Sequence, residues 1–467
     1  MIRLPLHAGH LRYSKYAFVL CRLAVCCLFL ALTVTAYAAE TENFASPPQP
    51  GQISEGASRT MAQTAWVTDP QLRMRIAVAT PVGSAQPSAL VEKCLAENLS
   101  FLPFATIIDP RAVPGGVTQN VASGPSLDMR RYQLAGAQTL ITTLWRQDGA
   151  PTVDLRAYDV TTGKFILGNS YANVTDQTAP NVVDAFCADL MKALTGRGEF
   201  FLSTLAFVKT AGEMKRDIWI VKPTGRALRR VTNIAGDSLS PAWSRDGRRI
   251  VFSNVDLRTH GLGMWDKNTN LVTRVRFPGN TVIGPTFLPD NNILVSLSTG
   301  RNPGIFLLNS QLQRERSVEN SSSIDVSPSV DASGTKMAFV SSRMGNPHVF
   351  LKNLRSGGVT RITYSGNYNT EPSISPDGTL LTFSRMMSGG HRIFVYDLEH
   401  NTETQISFGP GSDEQPAFAP DGYFIAFAST RSGKRQLYLT TRNGGNPKLI
   451  PTGPGDASFP AWGLTDK

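Results

Sequence analysis

The chain has 467 residues, more than a single hydrophobic core of typical size accommodates, so at least two domains are expected. Its formal net charge of +10 is distributed along the sequence, with only short basic clusters such as Arg229-Arg230 and Arg248-Arg249. Nucleic-acid-binding domains concentrate basic residues on one surface, and this sequence has no such concentration. Composition therefore argues against a nucleic-acid-binding protein.

Residues 1–38 have the organisation of a signal peptide. Four basic residues accompany an apolar run over residues 23–34, and Ala36-Tyr37-Ala38 provides the small residues that a signal peptidase accepts. The apolar run is shorter than the roughly 20 residues of a membrane-spanning helix. We expect cleavage between Ala38 and Ala39, followed by release of a protein with no segment inserted in a membrane.

Two different segments follow the leader. Residues 39–62 are rich in Pro, Ser, Gly and Gln, a composition that does not form a core and that predicts a flexible tail. Residues 63–197 mix strand patterns with helical patterns at 88–98 and 182–194, which predicts a small α/β domain. Cys94 and Cys187 lie in these helices, and export permits a disulfide between them. A bridge and two buried thiols both remain open.

A repeat organises residues 198–467. Six prolines recur at spacings of 43 or 44 residues, namely Pro241, Pro285, Pro328, Pro372, Pro416 and Pro460. In three copies the proline is followed, after four residues, by Asp-Gly, a pair that favours a tight turn because Gly adopts positive φ without strain. Each copy predicts four short strands, and four strands per 40–45 residues is the period of a propeller blade.

The ends of the repeat array predict how the ring closes. The last copy, Phe459-Pro460-Ala461-Trp462, supplies one strand, whereas three strand-like runs precede the first proline without a first strand of their own. The C-terminal strand is therefore expected to complete that blade and to remove the exposed sheet edges. The predicted fold is an α/β N-terminal domain followed by an all-β six-bladed β-propeller.

Motifs for catalysis are lacking. The nucleophile elbow Gly-x-Ser-x-Gly does not occur, which argues against the serine hydrolases that carry propellers. The histidines after the leader, His260, His348, His391 and His400, lack metal-ligand spacing and are interpreted as surface or turn residues. The aspartates of the Asp-Gly pairs are explained by their turns. We predict no enzyme activity, no cofactor and no bound metal.

The Pro-Ala-Trp-Ser-Arg-Asp-Gly repeat, the Asp413-Glu414-Gln415-Pro416 variant and the Phe-Pro-Ala-Trp ending resemble the TolB family, as does the order of leader, α/β domain and propeller. The resemblance implies a non-catalytic periplasmic scaffold of the Tol–Pal system, which supports outer-membrane integrity and constriction at cell division. It implies binding of the lipoprotein Pal through the propeller and of TolA through the N-terminal region, and it leaves other outer-membrane proteins open as partners. The alternative is a periplasmic propeller hydrolase or sugar-binding protein.

Two partner sites are predicted on this basis. TolA is expected at Ala65, Trp66, Val67, Thr68 and Asp69, where an extended segment near a free end is suited to strand addition. An ordinary edge strand is the alternative there, and the tail of some two dozen residues before it departs from the family pattern. Pal is expected at the channel rim, on the loops that enter the innermost strands. These loops carry Ser238, Leu239, Thr281, Ile283, Asp325, Val326, Thr370, Glu371, Glu414, Gln415, Ser458 and Phe459.

Overall fold

The computed structural model describes residues 73–465 except 125, 148, 212–214, 257–258, 280 and 299–301. The predicted signal peptide with its cleavage position between Ala38 and Ala39, the predicted tail and the predicted TolA segment all lie outside the described residues. Within the described part, no helix has the length and apolar character needed to cross a membrane.

The N-terminal domain is a five-stranded mixed sheet with helices on both faces. Its strands are β1 (Met74–Val78), β2 (Ala105–Ile107), β3 (Thr139–Arg146), β4 (Thr152–Asp159) and β5 (Phe165–Tyr171), and its helices are α1 (Ser88–Phe101), α2 (Arg130–Leu134) and α3 (Ala179–Thr195). The strand order is β2-β1-β3-β4-β5, with β1 parallel to β2 and β3 and the other pairs antiparallel. Helix α3 is followed by Gly196, whose φ of 79° provides a left-handed C-cap. The α/β prediction is confirmed, and α2 is an element that the sequence pattern did not locate.

The rest of the described chain forms six four-stranded antiparallel sheets. Blade 6 comprises β6 (Ser203–Ala211), β7 (Lys215–Val221), β8 (Arg229–Arg230) and, as its innermost strand, β29 (Ala457–Leu464). Blade 1 comprises β9 (Asp237–Trp243), β10 (Arg249–Val255), β11 (His260–Asp266) and β12 (Val272–Arg276). Blade 2 comprises β13 (Thr281–Phe287), β14 (Ile293–Ser298), β15 (Gly304–Leu308) and β16 (Arg314–Glu319).

The remaining three blades follow in chain order. Blade 3 comprises β17 (Asp325–Val330), β18 (Lys336–Ser341), β19 (His348–Asn353) and β20 (Val359–Arg361). Blade 4 comprises β21 (Asn369–Ile374), β22 (Leu380–Met387), β23 (Gly390–Asp397) and β24 (Thr402–Gln405). Blade 5 comprises β25 (Asp413–Phe418), β26 (Phe424–Ser429), β27 (Gln436–Thr441) and β28 (Gly444–Leu449).

The ring is closed by the last strand of the described chain. Strand β29 pairs antiparallel with β6, from Ala457 opposite Lys209 to Leu464 opposite Ser203. The innermost strands β9, β13, β17, β21, β25 and β29 contact one another in cyclic order, and β29 contacts β9. The six-bladed prediction is confirmed.

The Asp-Gly pairs make the predicted turns between the first and second strands of a blade. Gly378 has φ of 69°, and the Asp377 carboxylate accepts hydrogen bonds from the Thr379 backbone N–H at 3.1 Å and from the Ser375 hydroxyl at 2.6 Å. Although burial opposes it, hydrogen bonding by Ser375, Arg197 and Thr379 holds the pKa of Asp377 below its usual value. The turn role assigned to these aspartates is confirmed.

Candidate protein-binding face

The six innermost strands share a bulge at the repeat proline. In each of them the pairing with the second strand shifts register at this point. The residue before the proline has a left-handed backbone, with φ of 49° at Ser240, 59° at Gly284, 58° at Ser327, 56° at Glu371, 59° at Gln415 and 52° at Phe459. This conformation costs a residue with a Cβ roughly 1–2 kcal/mol, so the bulges need compensating contacts.

Side chains of the neighbouring blade supply several of those contacts. The Glu371 carboxylate accepts a hydrogen bond from the Gln415 backbone N–H at 2.8 Å, and the Gln415 side-chain carbonyl accepts one from the Phe459 N–H at 2.9 Å. In the same way the Ser296 hydroxyl accepts a hydrogen bond from the Ser327 N–H at 3.1 Å. These bonds fasten blade 4 to 5, blade 5 to 6 and blade 2 to 3 around the central axis.

The twelve residues predicted to bind Pal lie in strands, so their interpretation as loop residues is wrong. They are Ser238 and Leu239 in β9, Thr281 and Ile283 in β13, Asp325 and Val326 in β17, Thr370 and Glu371 in β21, Glu414 and Gln415 in β25, and Ser458 and Phe459 in β29. The reason is that each innermost strand begins three or four residues before its proline and continues through the bulge. Ser238 and Asp325 are fully buried, and Val326 and Gln415 nearly so. A role of these positions in partner binding stays a prediction.

The N-terminal domain occupies one face of the propeller. Because the blades are antiparallel, the turns after the first and third strands lie on one face, and those after the second and fourth lie on the other. Arg197 donates to the Asp421 carbonyl at 2.9 Å and to the Asp377 carboxylate at 2.6 Å, both in turns after a first strand. Arg226, in the turn after a third strand, pairs with Asp184 of α3. We call this the domain-bound face and the opposite one the open face.

The open face exposes five large apolar side chains on blades 3–5. Met344 lies in the turn between β18 and β19, Met386 and Met387 end β22, and Tyr364 and Phe408 lie in the loops that follow β20 and β24. Their exposed fractions are 57% for Met344, 71% for Tyr364, 47% for Met386, 43% for Met387 and 63% for Phe408. We call these five residues the apolar patch. Sequence reasoning missed it because its members fall in turns, loops and the end of a strand, where the repeat alignment attaches no meaning to an apolar residue.

Arginine side chains neutralise carboxylates next to the apolar patch, and the same arrangement recurs in two blades. Asp325, at the start of β17, pairs with Arg343 at 2.9 Å, and Asp413, at the start of β25, pairs with Arg431 at 2.9 Å. Both aspartates are fully buried, so each arginine holds a charge that would be costly without a partner. The pattern therefore stabilises the strand starts and leaves little negative charge on this face.

A second charged group is centred on Glu414, which follows Asp413 in β25. Glu414 pairs with Arg435 at 2.9 Å and accepts a hydrogen bond from the Ser412 hydroxyl at 2.9 Å. Burial, reinforced by the neighbouring Glu414, raises the pKa of the Glu371 carboxyl. Burial lowers the pKa of His391, which lies 3.8 Å from Glu414. The members of this group thus lie close to one another, and their ion pair and hydrogen bonds form a structural network.

His348 is buried, so its interpretation as a surface or turn residue is wrong. Its ring is within hydrogen-bond distance of Thr363 at 3.3 Å, of Asn369 at 3.2 Å and of Arg361 at 3.0 Å. Burial and the nearby Arg361 and Arg385 lower the pKa of His348 to about 4, so the ring is neutral at physiological pH. Its partners are blade residues, which makes it a packed core histidine.

Cys94 and Cys187 are free and buried between α1 and α3. Burial raises the pKa of the Cys187 thiol to about 12, which suppresses its nucleophilic thiolate form. No group of three or more His, Cys, Asp or Glu side chains arranged to hold a metal ion occurs in the described part of the chain.

A closed six-bladed β-propeller with an α/β domain on one face and exposed apolar side chains on the other defines a class of two-domain propeller proteins. The family model of the TolB β-propeller domain matches residues 191–466. The chain belongs to the TolB family.

Individual relatives agree with this assignment. The chain is 56% identical over 280 residues to the Tol-Pal system protein TolB of Nitratidesulfovibrio vulgaris, a match that covers 58% of this chain and 63% of that protein, less than two thirds of its length. It is 31% identical over 328 residues to the TolB homologue of Chlorobium chlorochromatii, covering 70% and 69% of the two chains. The crystal structure of TolB from Acinetobacter baumannii superposes with a TM-score of 0.73 at 22% identity, over 84% of this chain and 97% of that one, which supports the fold.

Proposed function

We propose that the protein is a non-catalytic, periplasmic protein-binding scaffold of the Tol–Pal system. In this role it binds Pal through the open face of the propeller and TolA through its N-terminal region, and it supports outer-membrane integrity and constriction during division. The observation that carries the proposal is the apolar patch on the face opposite the described part of the N-terminal domain, in a chain of the TolB family. Large exposed apolar patches on soluble proteins mark sites of protein contact.

Export is the first part of the proposal. The leader of residues 1–38 and the Ala36-Tyr37-Ala38 pattern support cleavage between Ala38 and Ala39. The intact mass of the protein recovered from the periplasm is expected to match a chain that begins at Ala39. A retained leader would contradict this part.

Binding of Pal is the second part. The periplasmic domain of Pal from the same bacterium, immobilised on a surface, is expected to retain the purified protein with measurable affinity. The matched control is the N-terminal domain alone, residues 63–197, at the same concentration, provided that its circular dichroism shows a folded domain. Failure of the full mature chain to bind Pal would reject the proposed role.

Binding of TolA is the third part. Removing residues 39–69 is expected to abolish binding to TolA, because the predicted strand from Ala65 to Asp69 would then be missing. Binding to Pal should be unchanged in the same variant, since the propeller is intact. Undiminished TolA binding would show that these residues form an ordinary edge strand.

A further inference from the structure

A cleft between blades 6 and 1 is lined by three cationic side chains. Lys222 follows β7, Arg229 begins β8 and Lys267 follows β11, and all three line one space of about 150 Å³. Because β7 and β11 are the third strands of their blades, this space lies toward the domain-bound face. Among the described residues, no Asp or Glu side chain lines it. We call this space the basic cleft.

Two of the three cations are accessible to a ligand. Arg229 and Lys267 are exposed with the described part of the N-terminal domain in place. The Arg229 guanidinium packs over the Trp265 ring, 5.2 Å from its centroid, and Lys267 Nζ donates to the Thr465 carbonyl at 3.3 Å. Neither cation makes an ion pair with a described residue. An anion can therefore reach both of them without separating the two domains.

Two acids at the same end of blade 1 are held by their own turns. The Asp246 carboxylate accepts hydrogen bonds from the Ser244 hydroxyl at 2.5 Å and from the Arg248 N–H at 3.1 Å. The Asp266 carboxylate accepts a hydrogen bond from the Asn268 N–H at 2.9 Å. These acids are engaged outside the lining of the basic cleft. Cations that share one cleft attract anions from solution.

Neutral hydrogen-bond donors complete the lining of the basic cleft. The hydroxyls of Thr204 and Thr465 are hydrogen-bonded to each other at 2.6 Å, so one of the two retains a proton for a further acceptor. Trp243 is only 6% exposed, yet its indole N–H has no hydrogen-bond partner among the described residues. Buried polar groups are paired in the great majority of cases. The unpaired indole is a second observation that points to an acceptor atom bound in the cleft.

The set of donors defines the chemistry of the ligand. Guanidinium, ammonium, hydroxyl and indole groups all donate hydrogen bonds, so the ligand must supply several acceptor oxygens and negative charge. A phosphate group supplies both, and guanidinium groups bind it through two parallel hydrogen bonds. The cleft volume of about 150 Å³ is below the roughly 300–1,000 Å³ of sites that enclose drug-sized ligands, so a small anionic group fits.

We propose that the basic cleft binds a phosphate group, supplied either by inorganic phosphate or by the headgroup of an anionic phospholipid. Lys222, Arg229 and Lys267 provide the positive charge, and the indole N–H of Trp243 donates to a phosphate oxygen. The site lies between blades 6 and 1, away from the apolar patch and from the predicted TolA segment. Its occupation therefore requires neither Pal nor TolA.

The first test measures binding of inorganic phosphate to the full mature chain by calorimetry at low ionic strength. Arg229→Gln with Lys267→Gln removes two charges from the cleft. The matched control is Arg274→Gln with Arg276→Gln, because these two arginines are exposed on β12 of blade 1 and do not line the cleft. Trp243→Phe removes the indole N–H and keeps an aromatic ring. Melting temperatures of all variants report the fold.

We expect the original chain to bind phosphate and the cleft variant to lose at least about tenfold in affinity, because two of the three cations are gone. The control should bind within about twofold of the original chain, since only the general field of the protein changes. Trp243→Phe should lower the affinity by a smaller factor. Equal losses in the cleft variant and the control, or no binding by the original chain, would overturn the site and leave the proposed Pal and TolA interactions untouched.

The second test identifies the source of the phosphate group. Sedimentation with phosphatidylcholine vesicles, with and without phosphatidylglycerol, measures binding to an anionic lipid surface. Binding to the phosphatidylglycerol vesicles that the cleft variant loses and the control retains would assign the site to a lipid headgroup. Binding of inorganic phosphate without binding to the vesicles would assign it to the free anion. Vesicle binding that falls equally in the cleft variant and the control would reject the cleft as a lipid site.

A carboxylate of the chain itself is the competing occupant. Asp466 follows Thr465 in the sequence and lies outside the described residues. The variant Asp466→Asn is therefore measured in the same phosphate titration, and we expect its affinity to match that of the original chain. Phosphate binding that appears only in Asp466→Asn would show that this carboxylate already fills the cleft, and would overturn the proposal.

Discussion

The two faces of the propeller arise from the same repeat but use apolar residues in opposite ways. On the domain-bound face Phe104, Phe200 and Phe424 form one buried cluster, with ring centroids of Phe200 and Phe424 only 4.1 Å apart. On the open face Met386 and Phe408 project into solvent. The repeat fixes the blades, and the residues in the turns decide whether a face is already occupied or is available to a partner.

The ion pairs of the two faces also connect different parts of the molecule. Asp184 of α3 is buried, accepts a hydrogen bond from Asn98 at 2.8 Å and pairs with Arg226 of blade 6, so this ion pair joins the two domains. Burial raises the pKa of Asp184, while Arg226 opposes that rise. On the open face the ion pairs stay within or between neighbouring blades. The domain-bound face is thus an interface between the two domains, and substitutions on the two faces should affect different properties.

The largest effect on stability is expected from Phe200→Ala. Phe200 is fully buried and contacts the rings of Phe201, Phe424 and Trp462, so its loss leaves a cavity between the domains. We expect a loss of about 3–5 kcal/mol in the free energy of unfolding, measured with urea. The control Phe408→Ala, at 63% exposure on the open face, should change it by less than about 0.5 kcal/mol. Equal losses would show that the two faces do not differ as described.

A smaller loss is expected from Arg226→Met. The substitution leaves the buried Asp184 carboxylate with Asn98 as its remaining side-chain partner, and an uncompensated buried charge is costly. Because Arg226 is partly exposed, we expect about 2–3 kcal/mol, below the upper range for fully buried pairs. Lys93→Met, which removes an exposed pair with Glu97, is the control and should cost less than about 0.5 kcal/mol. An effect of Arg226→Met no larger than that of the control would exclude a stabilising role for the interdomain pair.

Asp421 gives the domain-bound face a dependence on pH. Burial raises the pKa of Asp421 to about 6 from an ordinary value of 3.8, and its second carboxylate oxygen has no hydrogen-bond partner among the described residues. Between these two values the unfolded chain releases a proton that the folded chain keeps, so stability falls as pH rises from about 4 to 6. Asp421→Asn removes this penalty and should stabilise the protein by about 1–3 kcal/mol at pH 7.

The same Asp421→Asn comparison at pH 4 provides the control. There the carboxyl of the original chain is largely protonated when folded, so the gain from the substitution should nearly vanish. Urea denaturation of both proteins at pH 4 and pH 7 measures the difference. A gain that is the same at both values would show that ionisation of Asp421 does not contribute.

The smallest effect on stability is expected from Met387→Ser on the open face. The side chain is 43% exposed at the end of a hairpin strand, so its truncation should change the free energy of unfolding by less than about 0.5 kcal/mol. Thermal unfolding followed by circular dichroism is sufficient to measure this. A clearly lower melting temperature would indicate that the methionine supports the hairpin and does not serve contact alone.

The propeller could be predicted from the sequence because its signals are local. The repeat proline and the Asp-Gly turn are short patterns that each lie within one blade, and Gly378 and Asp377 have the turn geometry that their order implies. Blade count and ring closure follow from counting strands at the two ends. The bulge was not predicted, because the left-handed backbone of Gln415 is supported by the side chain of Glu371, which lies in the preceding blade and 44 residues earlier in the chain.

The features of the candidate site that the sequence did not predict also depend on contacts between separate segments of the chain. The burial of His348 follows from packing among β19, the loop before β21 and Arg361, which no local pattern reveals. The apolar patch assembles residues from three separate turns and loops and from one strand end, each of which looks unremarkable alone. A comparison of turns between blades would have given one signal, because Met386-Met387 places two large apolar residues in a hairpin end.

The pairing of β29 with β6 sets the order in which the molecule can be completed. During synthesis the chain emerges from its N-terminus, so the three outer strands of blade 6 are available long before the strand that belongs inside them. Until residues 457–464 arrive, β6 presents an unpaired edge, and more than 240 residues separate the partners in the sequence. Contacts of such long range are slow to form. During this interval the edge of β6 is open to pairing with another chain. Correct folding therefore requires that this edge be protected until β29 pairs with it.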